Sequence, residues 1–170
     1  MTQVVNYDIK YDFFKQYIAH DKKENKNDFE LKLKVRFSKI KNLYLVSSWS
    51  EDQILQEYFV EIFCWSVFSL DILQDISNIL KKNGIDGIID PCCGNGFHSY
   101  LFSKYLNFRV FSIDIQEEKE GWVQIIEEEG RLFLKKLPIQ EHLNNALFLS
   151  WIDYDLLSQD LLNLYHGNLV

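Results

Sequence analysis

The sequence predicts an α/β fold, a parallel sheet covered by helices on both faces. Three observations predict it. From residue 70 onward, short apolar runs alternate with segments of helical period, the order that builds βαβ units. A glycine-bearing turn, "PCCGNG" at 91–96, follows the first apolar run and opens a helix. Asp114 ends the next apolar run, twenty residues past Gly94.

The elements can be justified in chain order. Residues 1–49 form an N-terminal extension of helical or mixed character. Within it, residues 7–19 carry a weak helical pattern and the polar run "DKKENKND" at 21–28 resembles a linker. Phe29, Leu31, Val35 and Phe37 then alternate with charges, which suggests a strand, although the same segment continued to Leu45 also suits a helix. The main domain spans 50–170. It opens on a capping box, Ser50 with Gln53, followed by Ile54, Leu55, Tyr58, Phe59 and Ile62 at helical spacing. After a break around "CWSVFS", Ser69 is placed to cap a second helix whose apolar stripe is Ile72, Leu73, Ile76, Ile79 and Leu80. "KKNG" closes that helix with cations in the last turn and Gly84 beyond it.

"IDGIID" is the first strand, the glycine turn follows, and a helix runs from about Phe97 to Leu106. "FRVFSID" is the second strand. "GWVQII" is the expected third, with "RLFL" competing for that place, and "NALFLSW" is the fourth. Residues 155–165 form the last helix.

Composition narrows the function. The 170 residues are 47% hydrophobic, enough for one core, and 15% aromatic, which favours a packed globule over disorder. The net charge of −7 weighs against a general nucleic-acid binder. The balance is uneven, because residues 22–41 carry eight Lys or Arg against three acids. A solvated lysine face accounts for that segment, and contact with RNA or an anionic lipid is the alternative. Cys64, Cys92 and Cys93 are an odd set with an adjacent pair, the N-terminus lacks the order of a signal sequence, and no apolar run approaches the ~18 residues of a membrane span. These features predict a cytoplasmic chain without disulfides. Cys92, Cys93 and His98 have no second Cys/His pair to complete a zinc site.

The glycine turn carries the chemistry. In an open parallel sheet, ligands bind beyond the carboxyl ends of the strands. Gly94 and Gly96 there admit close approach of backbone to a ligand, and Asp114 stands where a carboxylate accepts from ribose hydroxyls. Together they predict a nucleoside-bearing ligand, the alternative being a turn that needs glycine only to be tight. Asp90 discriminates among nucleosides. A carboxylate at the rim of the loop repels a pyrophosphate, which opposes NAD or FAD, and attracts the ammonium of S-adenosylmethionine (SAM).

"DPCCGNG" resembles the first motif of class I, Rossmann-like SAM-dependent methyltransferases, an acidic residue followed by G-x-G-x-G. Asp90, Gly94 and Gly96 match it, and Cys92 replaces the first glycine. Asp114 matches the family's ribose-binding acid. The chain also resembles a group of methyltransferase-like proteins with a "W-A-I-P" turn before the loop and "LFLCWPPY" after it. "WSVFS" at 65–69, "LFLSWIDY" at 147–154 and "LLNLYHGNLV" at 161–170 stand in those places, so the likeness covers about residues 60 to 170. The resemblance implies strand order 3-2-1-4 for the four strands present, with SAM held by Asp90, Cys92, Gly94, Gly96, Asp114 and Ile115. Position in the chain alone puts the adenine near Ile115, Glu128 or Glu129.

Two departures qualify it. Ile152 and Asp153 stand in place of the family's paired prolines, so the rigid loop that presents acceptors to an amine is lost and amine methylation is not implied. Ser150 and Trp151 are then expected beside the substrate, with Asp153 as a base and Tyr154 or Trp151 as a π face to a cation. Equally, Trp151 suits the core and Asp153 suits a helix cap. Secondly, the sequence ends at "GNLV", where a fifth strand would begin. The outer edge of the fourth strand then calls for a cover: self-association, a protein partner, a fold-back of 29–37, or a shortened product that lacks one. The alternative to a methyltransferase with an unknown acceptor is therefore an inactive scaffold that binds through that edge.

Overall fold

The computed structural model describes residues 31–32, 60, 63–64, 68, 70–116, 121–150, 152 and 155–170. The chain divides into two compact units, Met1–Phe63 and Cys64–Val170. In the first, Leu31, Lys32 and Val60 are helical. The alternation at 29–37 therefore does not make a strand at Leu31–Lys32; the helical alternative holds there. The capping box at Ser50, the stripe that follows it and Ser69 lie outside the described residues.

In the second unit the elements run α1 (Leu70–Lys82), β1 (Gly87–Asp90), α2 (Phe97–Lys104), β2 (Arg109–Asp114), β3 (Ile126–Glu127), α3 (Gly130–Lys136), α4 (Ile139–Asn144), β4 (Asn145–Leu147) and α5 (Asp155–Leu164). The sheet is wholly parallel in the order β3-β2-β1-β4, a Rossmann-like α/β arrangement. Register follows the hydrophobic pattern. Ile89 pairs with Phe111 and Leu147 on one face, and Ile88 with Val110 and Ala146 on the other. The first face packs on Leu134 of α3 and on Leu161 and Tyr165 at α5, forming one core with Ile113. The second carries α2, whose Phe102 meets Phe148 edge-on at 5.0 Å.

Helix α2 is buried on every side from Phe97 to Phe102, which explains its lack of an amphipathic stripe. In α1 the buried line is Leu73, Ser77 and Leu80, at the i, i+4, i+7 spacing of one helix face. Ile72 and Ile79 of the expected stripe are instead about half exposed (48% and 53%). The helix ends as "KKNG" predicts. The Ile85 N–H reaches back to the Leu80 carbonyl (3.0 Å) around Gly84, at φ 72°.

The third strand is the main correction. "RLFL" is helical in α3, and of "GWVQII" only Ile126, with Glu127 beyond it, joins β2. Trp122 supplies the reason. It is buried against Phe97 (4.9 Å) and Tyr100 (5.2 Å) of α2, and its N–H donates to the Asn95 carbonyl (2.8 Å). That anchor holds residues 121–125 across the glycine turn, so the chain reaches the sheet edge only at Ile126.

The outer edge of β4 is met by the chain itself. The Leu147 N–H donates to the Leu169 carbonyl (3.0 Å), and the Tyr165 hydroxyl donates to the Asn145 carbonyl (2.5 Å). Residues 165–169 therefore lie where a fifth strand would start. His142, buried under them, accepts from the His166 N–H at Nδ1 (3.3 Å) and faces the Leu134 carbonyl with Nε2 (3.1 Å). Two hydrogen bonds thereby set its neutral tautomer, with the proton on Nε2.

Candidate functional site

Strand β1 is buried throughout and delivers Asp90 to the carboxyl end of the sheet. The chain then turns through Pro91–Asn95, and Gly96, at φ 78°, caps α2 in the left-handed region. Four N–H groups between Cys93 and Phe97 are taken up by the chain itself, two by β2 and two within the turn. Cys93 donates to the Ile113 carbonyl (3.0 Å), Gly94 to the Asp114 carboxylate (2.9 Å), Gly96 to the Cys93 carbonyl (2.9 Å) and Phe97 to the Asn95 side chain (3.1 Å). A pyrophosphate would have to displace these partners before it could bind as it does at a free helix N-terminus.

The two glycines differ. Both hold positive φ, where a β-carbon is strained. A β-carbon on Gly94 would meet no described residue within 4 Å, which leaves room there for a neighbour. One on Gly96 would come within 2.6 Å of Val123 Cγ2. The close approach at Gly96 is to the protein's own crossing segment, not to a ligand.

Asp90 is buried (3% exposed) and accepts one hydrogen bond, from the Ser99 hydroxyl at 2.8 Å. The expectation of an open acidic rim is corrected here, since the carboxylate is drawn under the turn by the first turns of α2. Loss of water pushes its pKa up from 3.8 to about 7, the Ser99 bond partly offsets that, and the Asp114 charge adds to it. Both cysteine thiols are also raised, first by burial and then by the neighbouring Asp90 and Asp114 charges, with Glu129 adding at Cys92, which reaches about 12. Two carboxylates, Asp90 and Asp114, thus border the turn.

The structure brings Asp90, Cys92, Gly94, Gly96 and Asp114 together. Asp114 lies at the end of β2, bonded to Gly94 and, at 3.4 Å, to the Gln116 N–H. Ile115 follows it and is 65% exposed, a free apolar face beside the carboxylate. Glu128 pairs with Lys136, while Glu129 caps α3 at the Leu132 N–H (3.2 Å) and pairs with Arg131 (2.6 Å). Ser150 is part-buried just beyond β4, and the expected catalytic pair Asp153 and Tyr154, with Trp151, lies outside the described residues.

Four residues that shape the turn were not anticipated. Ser99 carries no motif signal of its own, yet its hydroxyl is Asp90's partner. Asn95, two residues ahead of the helix, had the signature of an Asx-type cap. Trp122 and Val123, which cover the turn, had no local signal because their contacts are distant in sequence.

A cleft of about 390 Å³ lies between α3 and α5, lined by Glu129, Arg131, Leu132, Lys135, Asp160 and Leu164. Arg131 bridges it to Glu129 and to Asp160 (3.0 Å). Among the described residues, no group of three or more His, Cys, Asp or Glu side chains is gathered to hold a metal ion, and no helix is long and apolar enough to cross a membrane.

No protein-family profile matches the chain, and no curated protein or solved structure matches it significantly.

Proposed function

We propose that this is a SAM-binding, methyltransferase-like protein whose methyl acceptor is unknown. The observation that carries this reading is the pair of carboxylates bordering the glycine turn, Asp90 buried beneath it on the Ser99 hydroxyl and Asp114 on the Gly94 N–H. Carboxylates there repel a diphosphate, and four of the N–H groups from Cys93 to Phe97 are already engaged. A nucleoside that carries cationic sulfonium and ammonium groups suits the same carboxylates.

The chain's own residues supply binding and orientation. Asp90 offers a carboxylate whose burial is poorly compensated by one hydroxyl, so a cation nearby relieves it. Asp114 is the acceptor for ribose hydroxyls, Gly94 gives room beside it, and Ile115 offers an apolar face for a base. When bound, SAM supplies an already activated methyl group, and the protein's task is then alignment of the acceptor.

The inactive-scaffold alternative is the weaker reading on this geometry. The edge groups of β4 through which it would bind, at Asn145 and Leu147, are engaged by Tyr165 and Leu169.

Calorimetric titration tests the proposal. Saturable binding of SAM and S-adenosylhomocysteine is expected, NAD should give none, and Asp114→Ala should abolish the signal. Absence of SAM binding at millimolar ligand would refute it.

A further inference from the structure

One cluster of reactive groups plays no part in the cofactor reading. His98 is the second residue of α2, only 7% exposed, and its ring is gripped by Phe68 (5.0 Å between centroids) and Phe148 (5.2 Å). Its Nε2 lies 3.6 Å from the Cys64 sulfur. Cys64 is in no disulfide and is only partly buried. Phe148 directly follows β4 and His98 follows the glycine turn, which places the pair at the carboxyl end of the sheet, where this fold binds its ligands. A thiol within hydrogen-bond reach of an imidazole whose rotamer is held by packing is the arrangement that activates a sulfur nucleophile.

We propose that Cys64 and His98 form a nucleophile–base pair, a covalent modification site for soft carbon electrophiles. In the step, the Cys64 proton passes to His98 Nε2, the sulfur forms a bond to carbon, and the leaving group departs with its electron pair. The inference is independent of the cofactor reading, and its test contains no sulfonium compound.

The protein carries its own references. Burial, with the nearby Asp90 and Asp114 carboxylates adding to it, holds the Cys92 and Cys93 thiols protonated. At pH 7 an ordinary thiol is only about 3% ionised. A base beside a thiol raises that fraction while the lower basicity of the sulfur takes back part of the gain, and for a thiol tuned to the ambient pH the net advantage is about threefold.

The full chain is treated with iodoacetamide at pH 7, and each cysteine peptide is followed by mass spectrometry. Cys64 is expected to react about threefold faster than free glutathione and at least about 100-fold faster than Cys92 or Cys93. His98→Gln is expected to remove the threefold advantage with the circular dichroism spectrum unchanged. A Cys64 rate at or below that of glutathione, equal rates at the three cysteines, or a folded His98→Gln protein that reacts as fast as the wild type would each overturn the proposal. If His98→Gln does not fold, the glutathione comparison alone decides.

Discussion

Asp90→Asn should stabilise the unliganded protein, and by more at high pH than at low. The native carboxyl is raised from 3.8 to about 7, chiefly because burial strips it of water. Between those values the folded state binds a proton that the unfolded state has lost, so wild-type stability falls as pH rises through this window and levels off above it. At about 1.4 kcal/mol per unit, the full penalty is roughly 4 kcal/mol. Asparagine keeps an oxygen for the Ser99 hydroxyl and removes the charge. Its amide needs a partner, at a cost of about 1–3 kcal/mol, but that cost does not vary with pH. The decisive quantity is therefore the change in the variant's advantage between pH 5 and pH 8, expected to be roughly 2–3 kcal/mol. Urea unfolding monitored by circular dichroism at the two pH values measures it. A pH-independent difference, or a variant that loses ground as pH rises, would refute the argument that Asp90 is a buried and under-compensated charge. The same substitution should weaken SAM binding, since the residue that destabilises the empty turn is the one that a cation relieves.

Other perturbations separate the remaining parts of the argument. Gly96→Ala places a β-carbon at φ 78° against Val123, and should cost at least about 1 kcal/mol in a thermal melt; Gly94→Ala, with no described residue within 4 Å of its β-carbon, should cost less and impair ligand binding instead. His142 is held below its ordinary pKa of 6.5, first by burial and also by the neighbouring His166. Its folded-state pKa lies under the unfolded one, so the stability it contributes is complete above about pH 6.5 and is lost as pH falls below that value. Protonation also removes the acceptor for the His166 N–H. After correction for intrinsic rates, the His166 and Leu147 amides should exchange faster at pH 5.5 than at pH 7.5, and equal protection at both would contradict the assigned tautomer.

Much of the fold could be read locally. β1, β2 and α1 were legible because each is a short run whose hydrophobic pattern matches its own period, with clear stop signals such as Gly84. The turn at 91–96 and the placing of Asp114 were legible because glycine and aspartate do positional work that few other residues can do. The third strand was misplaced because Trp122, with Val123 over Gly96, binds to α2 and to the turn, and such long-range contacts outweigh the strand propensity of "GWVQII".

By itself the sequence determined the α/β order of elements, the position of the glycine turn and the acids that border it, since these depend on periodicity and on residue chemistry within a few positions. Tertiary structure alone decided that Asp90 lies beneath the turn on Ser99, that Cys64 faces His98 across 34 residues, and that residues 165–169 reach the β4 edge. Burial, desolvation and pairing between distant residues arise only once the chain has packed, and those are the quantities that tune a carboxylate or activate a thiol.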